Sequence, residues 1–531
     1  MPASTISPRR AFTSLALVLG ALSATACTGF SPGDHHDGPP APPGPRNDLP
    51  QAPAVNGTPD KSEVTEAFGV FVAPTGQPGT AGSREHPLAT IQAGIDLGKQ
   101  MGKRVYVCTG TFREALVLAS SISVIGGLDC APGGNWRVGA AHTRIEAPTS
   151  PAVRASNITA PTRLEGIDIL APNATTPSGS SIGLLADHVA TLVIAGSKIT
   201  AGDGASGVDG TEGTQLTKPL LNSVNGENAI HADRCIDGQT CTMSAVPAIY
   251  PWLKPRGGAG GKSVCSGAPG HDGLPGGNGG SGGLYVPIKI DAAFFWQNYA
   301  DSPGMAAELG QYFPGSAGAA GNSGVPSAAL GALSAEGYSA ANGAAGTSGA
   351  PGNGGFGGRG SIDGRPEANA VLADAVWTGR GGPGGGAGGC PGLAGTAGTG
   401  GGASIALALI DSPIVVDGTE LISGKAGTAG RGSFGSDPTA GGAAGDNGNG
   451  YPINAARPGG SGGIAGISTN GSSGPSIGIL HSGAAPVRAS AKITTGQPGA
   501  AIDARLHYDP LTGIKIIPAT PAGITKDILA L

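Results

Sequence analysis

One pattern occurs three times in this chain: SIGLLADHVATLVIAGSKITAGDGASG at residues 181–207, SIALALIDSPIVVDGTELISGKAGTAG at 404–430 and SIGILHSGAAPVRASAKITTGQPGA at 476–500. Each copy opens with Ser-Ile, holds a second stretch of β-forming residues, and reaches a further aliphatic residue (Ile199, Leu421 or Ile493) before a glycine-containing turn. A unit of this length has room for two or three short strands, and none for a strand–helix–strand crossover. We therefore predict stacked units that bury a common core between neighbours.

The sequence before these repeats fits the same scheme. Apolar and polar residues alternate around Ile122 and Val124, and again around Leu164, Ile167 and Ile169, with glycines at the turns. Alternation with a period of two is typical of strands that have one buried face. The prediction for the folded part is an all-β chain.

A more specific resemblance covers about residues 68–127. From Phe71 they read FVAPTGQPGTAGSREHPLATIQAGIDLGKQMGKRVYVCTGTFREALVLASSISVIGG. They hold a Pro-x-x-Thr-Ile-x-x-x-Ile motif and a later Gly-Thr-Phe-x-Glu motif, formed by Pro87, Thr90, Ile91, Ile95, Gly110, Thr111, Phe112 and Glu114. The segment resembles the start of a pectate-lyase-like right-handed parallel β-helix of the DUF1565 type. This resemblance implies a solenoid whose N-terminal end is plugged by a capping helix at about residues 88–101. Leu88, Ile91 and Ile95 would form the buried face of that helix. An immunoglobulin-like sandwich is the structural alternative.

Glycine recurs at every third residue in several tracts, among them 267–282, 343–358 and 386–401, within a large insertion at about 201–403. A period of three is that of the polyproline II helix. Glycine at every third position lets such helices approach closely and form hydrogen bonds to one another. The tracts resemble the glycine-rich domains of mycobacterial PE-PGRS proteins, which implies ordered polyproline-II-like insertions. A collagen-like trimer and flexible loops are the alternatives.

The N-terminus has the features of an export signal. Arg9 and Arg10 precede a short apolar run, which ends in the small residues Ala24-Thr25-Ala26 directly before Cys27. ATAC resembles the lipobox of bacterial (myxobacterial-like) lipoproteins, although Ala24 stands where that pattern prefers Leu. The resemblance implies lipidation of Cys27, and Thr28 after it favours the outer membrane. An ordinary signal peptide, an uncleaved anchor and a twin-arginine signal are the alternatives.

These features predict six regions along the chain. They are a lipoprotein signal peptide (1–26), a disordered Pro- and Gly-rich tether (27–62), an N-terminal cap with β-helix coils (63–200), the Gly-rich insertion (201–403), further coils with Gly-rich loops (404–500), and a C-terminal cap or last strand (501–531).

Charge and cysteine content narrow the function classes. Cleavage before Cys27 leaves 29 basic and 36 acidic residues, and this negative balance argues against a nucleic-acid partner. An even number of remaining cysteines in an exported chain predicts disulfides, and the candidates are Cys108, Cys130, Cys235, Cys241, Cys265 and Cys390. Cys108 and Cys130 lie about one coil apart, so we predict that they pair. The other expected pairs are Cys235–Cys241 and Cys265–Cys390.

Pectate-lyase-like solenoids often carry enzymes that need clustered carboxylates, for acid–base chemistry or for Ca²⁺. Asp187, His188, Asp411 and His481 fall at nearby repeat positions, with Asp417, Glu420 and Arg488 further on. The motif sets of polygalacturonases are absent from the sequence, as is a phosphate-binding loop. We therefore expect no catalytic residue and no cofactor, with Ca²⁺ on this polar face as the one alternative.

An aromatic cluster stands out inside the insertion, at Phe294, Phe295, Trp296 and Tyr299, with Tyr312 and Phe313 beyond it. It would form either the core of a helical turn that pins the insertion or a platform for sugars or a partner. The sequence thus predicts an exported, lipid-anchored surface protein that is structural, adhesive or glycan-contacting. Its expected partners are the membrane, and glycans or other envelope proteins. The alternative is a polysaccharide lyase or hydrolase on the same face.

Overall fold

The computed structural model describes residues 64–131, 135–217, 225–228, 257–265, 272–280, 284–290, 293–299, 314–327, 330–360, 377–378, 381–446, 455–488, 490–511 and 513–531. Side chains are described for these residues apart from 284–290, 293–299, 377–378 and 488. This part of the chain holds one α-helix, α1 (Ile91–Met101), and its other regular elements are strands. The prediction of an all-β chain is confirmed.

Three parallel sheets contain most of the strands. Sheet A has the order β1 (Gly69–Val72), β2 (Arg104–Cys108), β5 (Val124–Asp129), β9 (Thr162–Glu165), β12 (Leu192–Ala195), β20 (Val415–Asp417), β23 (Val487–Arg488). Sheet B has β3 (Gly110–Phe112), β7 (Thr143–Glu146), β10 (Ile167–Leu170), β13 (Lys198–Thr200), β21 (Glu420–Ile422), β24 (Lys492–Thr494). Sheet C has β4 (Leu116–Leu118), β8 (Val153–Ser156), β11 (Ser181–Asp187), β19 (Ser404–Ile410), β22 (Ser476–Ser482), β27 (Thr525–Ala530). The parallel pairing does not fit an immunoglobulin-like sandwich, which is built from antiparallel sheets.

The chain adds strands to the three sheets in a repeating order, and this order determines which residues stack in the core. From β2 onward the sheet strands come in the sequence A, B, C, and each strand pairs with the strand one round earlier. Residues that face the core therefore stack in rows. In sheet B, the aliphatic row runs through Ile145, Ile169, Ile199, Leu421 and Ile493, in register. The predicted equivalence of the aliphatic residues in the three repeats is confirmed.

The helix α1 packs against β1, β2 and β4, at the start of sheets A and C. Ile91 and Ile95 are buried in the same core as Val72 and Val105. The expected start of the helix at Leu88 is wrong by three residues. Thr90 is the N-cap and accepts a hydrogen bond from the Ala93 N–H, so the helical turns begin after it, while Leu88 forms a parallel bridge with Val72.

Smaller antiparallel elements complete the described part of the chain. They are β6 (Arg137–Val138), which pairs with β5, the three-stranded set β14 (Leu284–Ile290), β15 (Ala293–Tyr299) and β18 (Trp377–Thr378), and the hairpins β16 (Gly331–Ser334) with β17 (Gly337–Ala340) and β25 (Arg505–Asp509) with β26 (Gly513–Ile517). Tyr338 of β17 lies on the outer apolar face of sheet C, against Ile182 and Ile405. Residues 293–299 are a strand, so the helical turn expected there is wrong.

The glycine-rich segments occur at equivalent positions along the chain. Each of them connects a strand of sheet B to the next strand of sheet C. The longest lies between β13 and β19, and a second lies between β21 and β22. Within them, glycine N–H groups donate at every third residue to carbonyls of a neighbouring segment, for example from Gly204, Gly207 and Gly210 to residues 425, 428 and 431 at 2.7–2.8 Å. A Cβ on Gly207 would overlap the carbonyl oxygen of Thr399. Glycine is therefore needed here because of close backbone packing.

Two of the three expected disulfides are present. Cys108 pairs with Cys130, and Cys265 pairs with Cys390, each with a Cα–Cα distance of 5.8 Å. The first joins β2 to the segment after β5, as predicted from the coil spacing. The second links two glycine-rich segments beside the buried Leu216. Cys235 and Cys241 lie outside the described residues.

Candidate functional site

The outward face of sheet B carries a row of charges that alternate in sign. Register pairs Arg144 with Asp168, Asp168 with Lys198, Lys198 with Glu420 and Glu420 with Lys492. Neighbouring strands of a sheet lie about 4.8 Å apart, so each charge stands beside the opposite one. We call these five residues the charge ladder.

Ion pairs connect three members of the charge ladder, Lys198, Glu420 and Lys492. The carboxylate of Glu420 lies 2.9 Å from Lys492 Nζ and 3.1 Å from Lys198 Nζ. The hydrogen bond from Lys492, and then that from Lys198, holds the pKa of Glu420 below its usual range, and the Glu420 carboxylate raises the pKa of Lys492 in turn. His142 Nδ1 lies 2.7 Å from Asp168, and Arg144, at the other end of the row, pairs with Glu146 at 2.9 Å. These pairs are solvent-exposed, so they fix side-chain directions more than they stabilise the fold.

A shallow cavity of about 190 Å³ lies on the same face. Its lining is contributed by three neighbouring strands, and consists of Arg144, Asp168, Ile169, Leu170, Lys198 and Thr200. The site thus combines ammonium and guanidinium donors, carboxylate acceptors, a hydroxyl and a small apolar floor. This mixture matches a ligand with many hydroxyl groups, because a hydroxyl both donates and accepts.

Sequence reasoning missed most of the charge ladder. It singled out Glu420, but placed it with Asp187 and Asp411 rather than beside two lysines. A signal was available, since each charged residue directly precedes an aligned aliphatic core residue, as in Lys198-Ile199, Glu420-Leu421 and Lys492-Ile493. In a strand the neighbour of an inward residue points outward, so the aligned aliphatic residues also align the charges.

A second group lies where strands of sheet C end, and it contains three of the four predicted polar-face residues. His188 Nδ1 lies 2.7 Å from Asp187 Oδ1, and His188 Nε2 lies 3.8 Å from Asp411 Oδ2. His188 and Asp411, which have the same offset from Ser181 and Ser404, lie on one surface. A histidine between two carboxylates is an arrangement capable of acid–base chemistry.

Backbone conformation gives this group a structural explanation. His188 and Asp411 have positive φ angles of 52° and 42°, and Gly483 follows the next strand with a φ of 79°. His, Asp, Asn and Gly are the residues that tolerate this left-handed region. His481 belongs to the strand instead, paired with Leu409, and its Nδ1 lies 3.2 Å from the Gly483 carbonyl oxygen. The turn geometry thus accounts for the residue types without catalysis.

Other predicted polar residues are placed apart from this group. Asp417 accepts a hydrogen bond from the Ser490 hydroxyl at 2.9 Å, and Ser490 lies between β23 and β24 of the next round. The side chain of Arg488 lies outside the described residues.

Glu114, from the Gly-Thr-Phe-x-Glu motif, accepts hydrogen bonds from the Ile91 and Gln92 N–H groups at 2.7 and 2.9 Å, so it ties the start of α1 to the sheets. Burial raises the pKa of Glu114, although these two hydrogen bonds act against that rise.

Several candidate residues cannot be placed. Cys27 lies outside the described residues, and so do the side chains of Phe294, Phe295, Trp296 and Tyr299, whose backbone is the strand β15. Within the described ranges, no group of three or more His, Cys, Asp or Glu residues is arranged to hold a metal ion.

Among the residues that the structure describes, no helix has both the length and the apolar character that a membrane crossing requires. Comparison with protein-family models, with curated proteins and with solved structures finds no match to this chain.

Proposed function

We propose that the folded part is a right-handed parallel β-helix, with its glycine-rich segments packed as a bundle of polyproline-II-like helices. The A, B, C rotation of the strands and the stacked aliphatic rows support the solenoid, because each round lays one strand on each sheet. The hydrogen bonds from every third glycine support the bundle, because polyproline II has three residues per turn and no internal hydrogen bonds.

We further propose that this scaffold is exported, lipid-anchored through Cys27 at the outer membrane, and contacts envelope glycans without cleaving them. The observation that carries glycan contact is the charge ladder beside its cavity. Its alternating signs suit a polyhydroxylated chain better than a polyanion, since a nucleic acid calls for a uniformly basic face. Its regular spacing of about 4.8 Å per strand would place one charged group, basic and acidic in turn, beside each successive sugar.

The second candidate function is a polysaccharide lyase or hydrolase. The contact of His188 with Asp187 and Asp411 favours it, because the histidine could move a proton while a carboxylate orients it. Against it stand the exposure of His188 and Asp411 and the left-handed turn that selects their residue types.

Co-sedimentation with peptidoglycan sacculi and with isolated envelope polysaccharide tests glycan contact. The double variant Lys198→Gln/Lys492→Gln should weaken binding by about tenfold or more, because two charged hydrogen-bond donors are lost. Lys425→Gln, at an exposed lysine of a glycine-rich segment, is the matched control and should bind normally. Release of soluble sugar products that stops in His188→Ala would replace this proposal with the enzyme.

A further inference from the structure

The hairpin β25–β26 has its polar side turned inward. Arg505 Nη2 lies 3.1 Å from Glu212, and its guanidinium stacks over the Phe434 ring at 5.2 Å. His507 Nε2 and Lys515 Nζ lie 3.1 and 3.2 Å from the same oxygen of Asp437. The basic residues of the two strands are therefore engaged with the glycine-rich segments beneath them.

The opposite side of the hairpin is apolar and exposed. Leu506 pairs across the strands with Ile516, and Tyr508 pairs with Ile514. With Leu511 in the connecting turn, these side chains are between 50% and 70% exposed. Among the described residues, they are five of the twelve exposed large hydrophobics, gathered on one short hairpin. We call these five residues the hairpin face.

A two-stranded hairpin is marginal in water unless an apolar face is covered. Here the covered side is the charged one, so the apolar side is the one that lacks a cover within the described part of the chain. Together the five side chains expose on the order of 600 Å², against roughly 800 Å² that each partner buries in an interface of standard size. The hairpin face with a narrow rim therefore suffices for a stable dimer.

We propose that the hairpin face is a dimer interface, and that its occupant is the same face of a second copy of this chain. The face carries no charge, so it needs an equally neutral partner, and a twofold contact supplies one. Homodimer interfaces are also more apolar than transient ones. A bilayer is a poorer match, because elements that lie in a membrane surface present Lys and Arg to the headgroups, whereas Arg505 and Lys515 are turned inward and ion-paired.

Sedimentation velocity of the full chain tests this interface, with every protein in a Cys27→Ala background so that lipid cannot drive association. The parent should sediment as a dimer at micromolar concentration. Tyr508→Ser/Ile514→Ser should raise the dimer Kd by at least about 100-fold, because two buried apolar side chains are lost on each copy. Val325→Ser, at an exposed valine outside the hairpin, should leave the dimer intact.

A covalent test guards against misfolding of the serine variant. Ile514→Cys should give a reducible intermolecular disulfide in the oxidised protein, and Val325→Cys should not. A parent that remains monomeric at about 100 times this concentration, or a dimer that survives the double substitution, overturns the proposal. Flotation of a monomeric parent with phosphatidylethanolamine–phosphatidylglycerol vesicles, lost in the double variant, would assign the face to a membrane instead.

Discussion

Ser181 lies directly beside Ser404 in sheet C, although the whole glycine-rich insertion separates them in sequence. Both are fully buried, and each hydroxyl bridges backbone groups of the chain beside it. Ser404 Oγ donates to the Gly202 carbonyl oxygen at 2.7 Å and accepts from the Gly424 N–H at 2.8 Å. Ser181 accepts from the Gly202 N–H in the same way, one round earlier. The two serines thus hold the segment that leaves sheet B against the strand that begins in sheet C.

Replacing Ser404 with alanine should lower the free energy of unfolding by about 2–3 kcal/mol, because a partly buried N–H and a partly buried carbonyl each lose a partner. Urea titration followed by circular dichroism measures this change. Ser206→Ala, at an exposed serine just past Gly202, is the control and should change stability by less than about 0.5 kcal/mol. Equal stability of the two variants would contradict the bridging role of Ser404.

Replacing a single glycine with alanine tests whether glycine at every third position is required for close backbone packing. A Cβ on Gly321 would overlap the Thr347 carbonyl oxygen, and the Gly321 N–H donates to Ile464 at 2.8 Å. Gly321→Ala should therefore cost about 3 kcal/mol, since backbone must shift to make room. Ala320→Ser adds one atom at the exposed neighbouring position and should be neutral. Limited proteolysis of the two variants compares local opening, and equal cleavage rates would mean that the segments are not packed in this way.

His188 separates the turn interpretation from the catalytic one. If its left-handed φ explains its presence, His188→Gly should keep stability within about 1 kcal/mol and leave glycan binding unchanged. His188→Val should lose about 2 kcal/mol or more, because a β-branched residue is strained at positive φ. Thermal unfolding and co-sedimentation provide the two readouts. An enzyme would instead lose product formation with glycine and valine alike.

Glu114 should impose a measurable pH dependence on stability. Burial raises the pKa of Glu114 in the folded chain above its ordinary value, so the folded chain holds the proton more tightly than the unfolded chain does. The stability that this carboxyl contributes is present below the unfolded pKa and is lost as pH rises through the folded pKa. Relative to wild type, Glu114→Gln should therefore become more stable as pH rises across this window.

Urea unfolding of wild type and Glu114→Gln at a series of pH values measures this difference. Glu336→Gln, in the exposed turn between β16 and β17, serves as the control and should track wild type. A difference between Glu114→Gln and wild type that stays flat, or that runs the other way with pH, would show that the two helix hydrogen bonds outweigh burial.

The sequence was sufficient to predict the aliphatic rows of the core and insufficient to predict the charge ladder. Ile199, Leu421 and Ile493 were aligned correctly because hydrophobic periodicity reports burial. The cysteine pair at 108 and 130 followed from the length of one round. The charge ladder was missed because its members are far apart in sequence, and only the pairing of strands shows that Lys198 stands beside Glu420.

The hairpin face could not be predicted from the sequence either, for a different reason. The Ile514, Ile516 and Ile517 run does predict a strand, and β26 is that strand. It pairs with β25 rather than joining the three sheets, and the round is completed by β27 instead. Alternation along a strand predicts two faces but does not show which of them is buried. Here the ion pairs of Arg505 and Lys515 hold the charged face of the hairpin inward and leave its apolar face exposed.

Anchoring through Cys27 is the central claim of the account, and mass spectrometry of the mature N-terminus tests it most directly. Wild type and Cys27→Ala are expressed in a bacterial host, the membranes are separated, and each N-terminal peptide is analysed for covalent lipid. We predict a chain that begins at Cys27, carries a diacylglyceryl group and fractionates with the outer membrane, with lipid and membrane association both lost in Cys27→Ala. A lipid-free, soluble wild-type chain that begins at another residue would contradict the anchored scaffold.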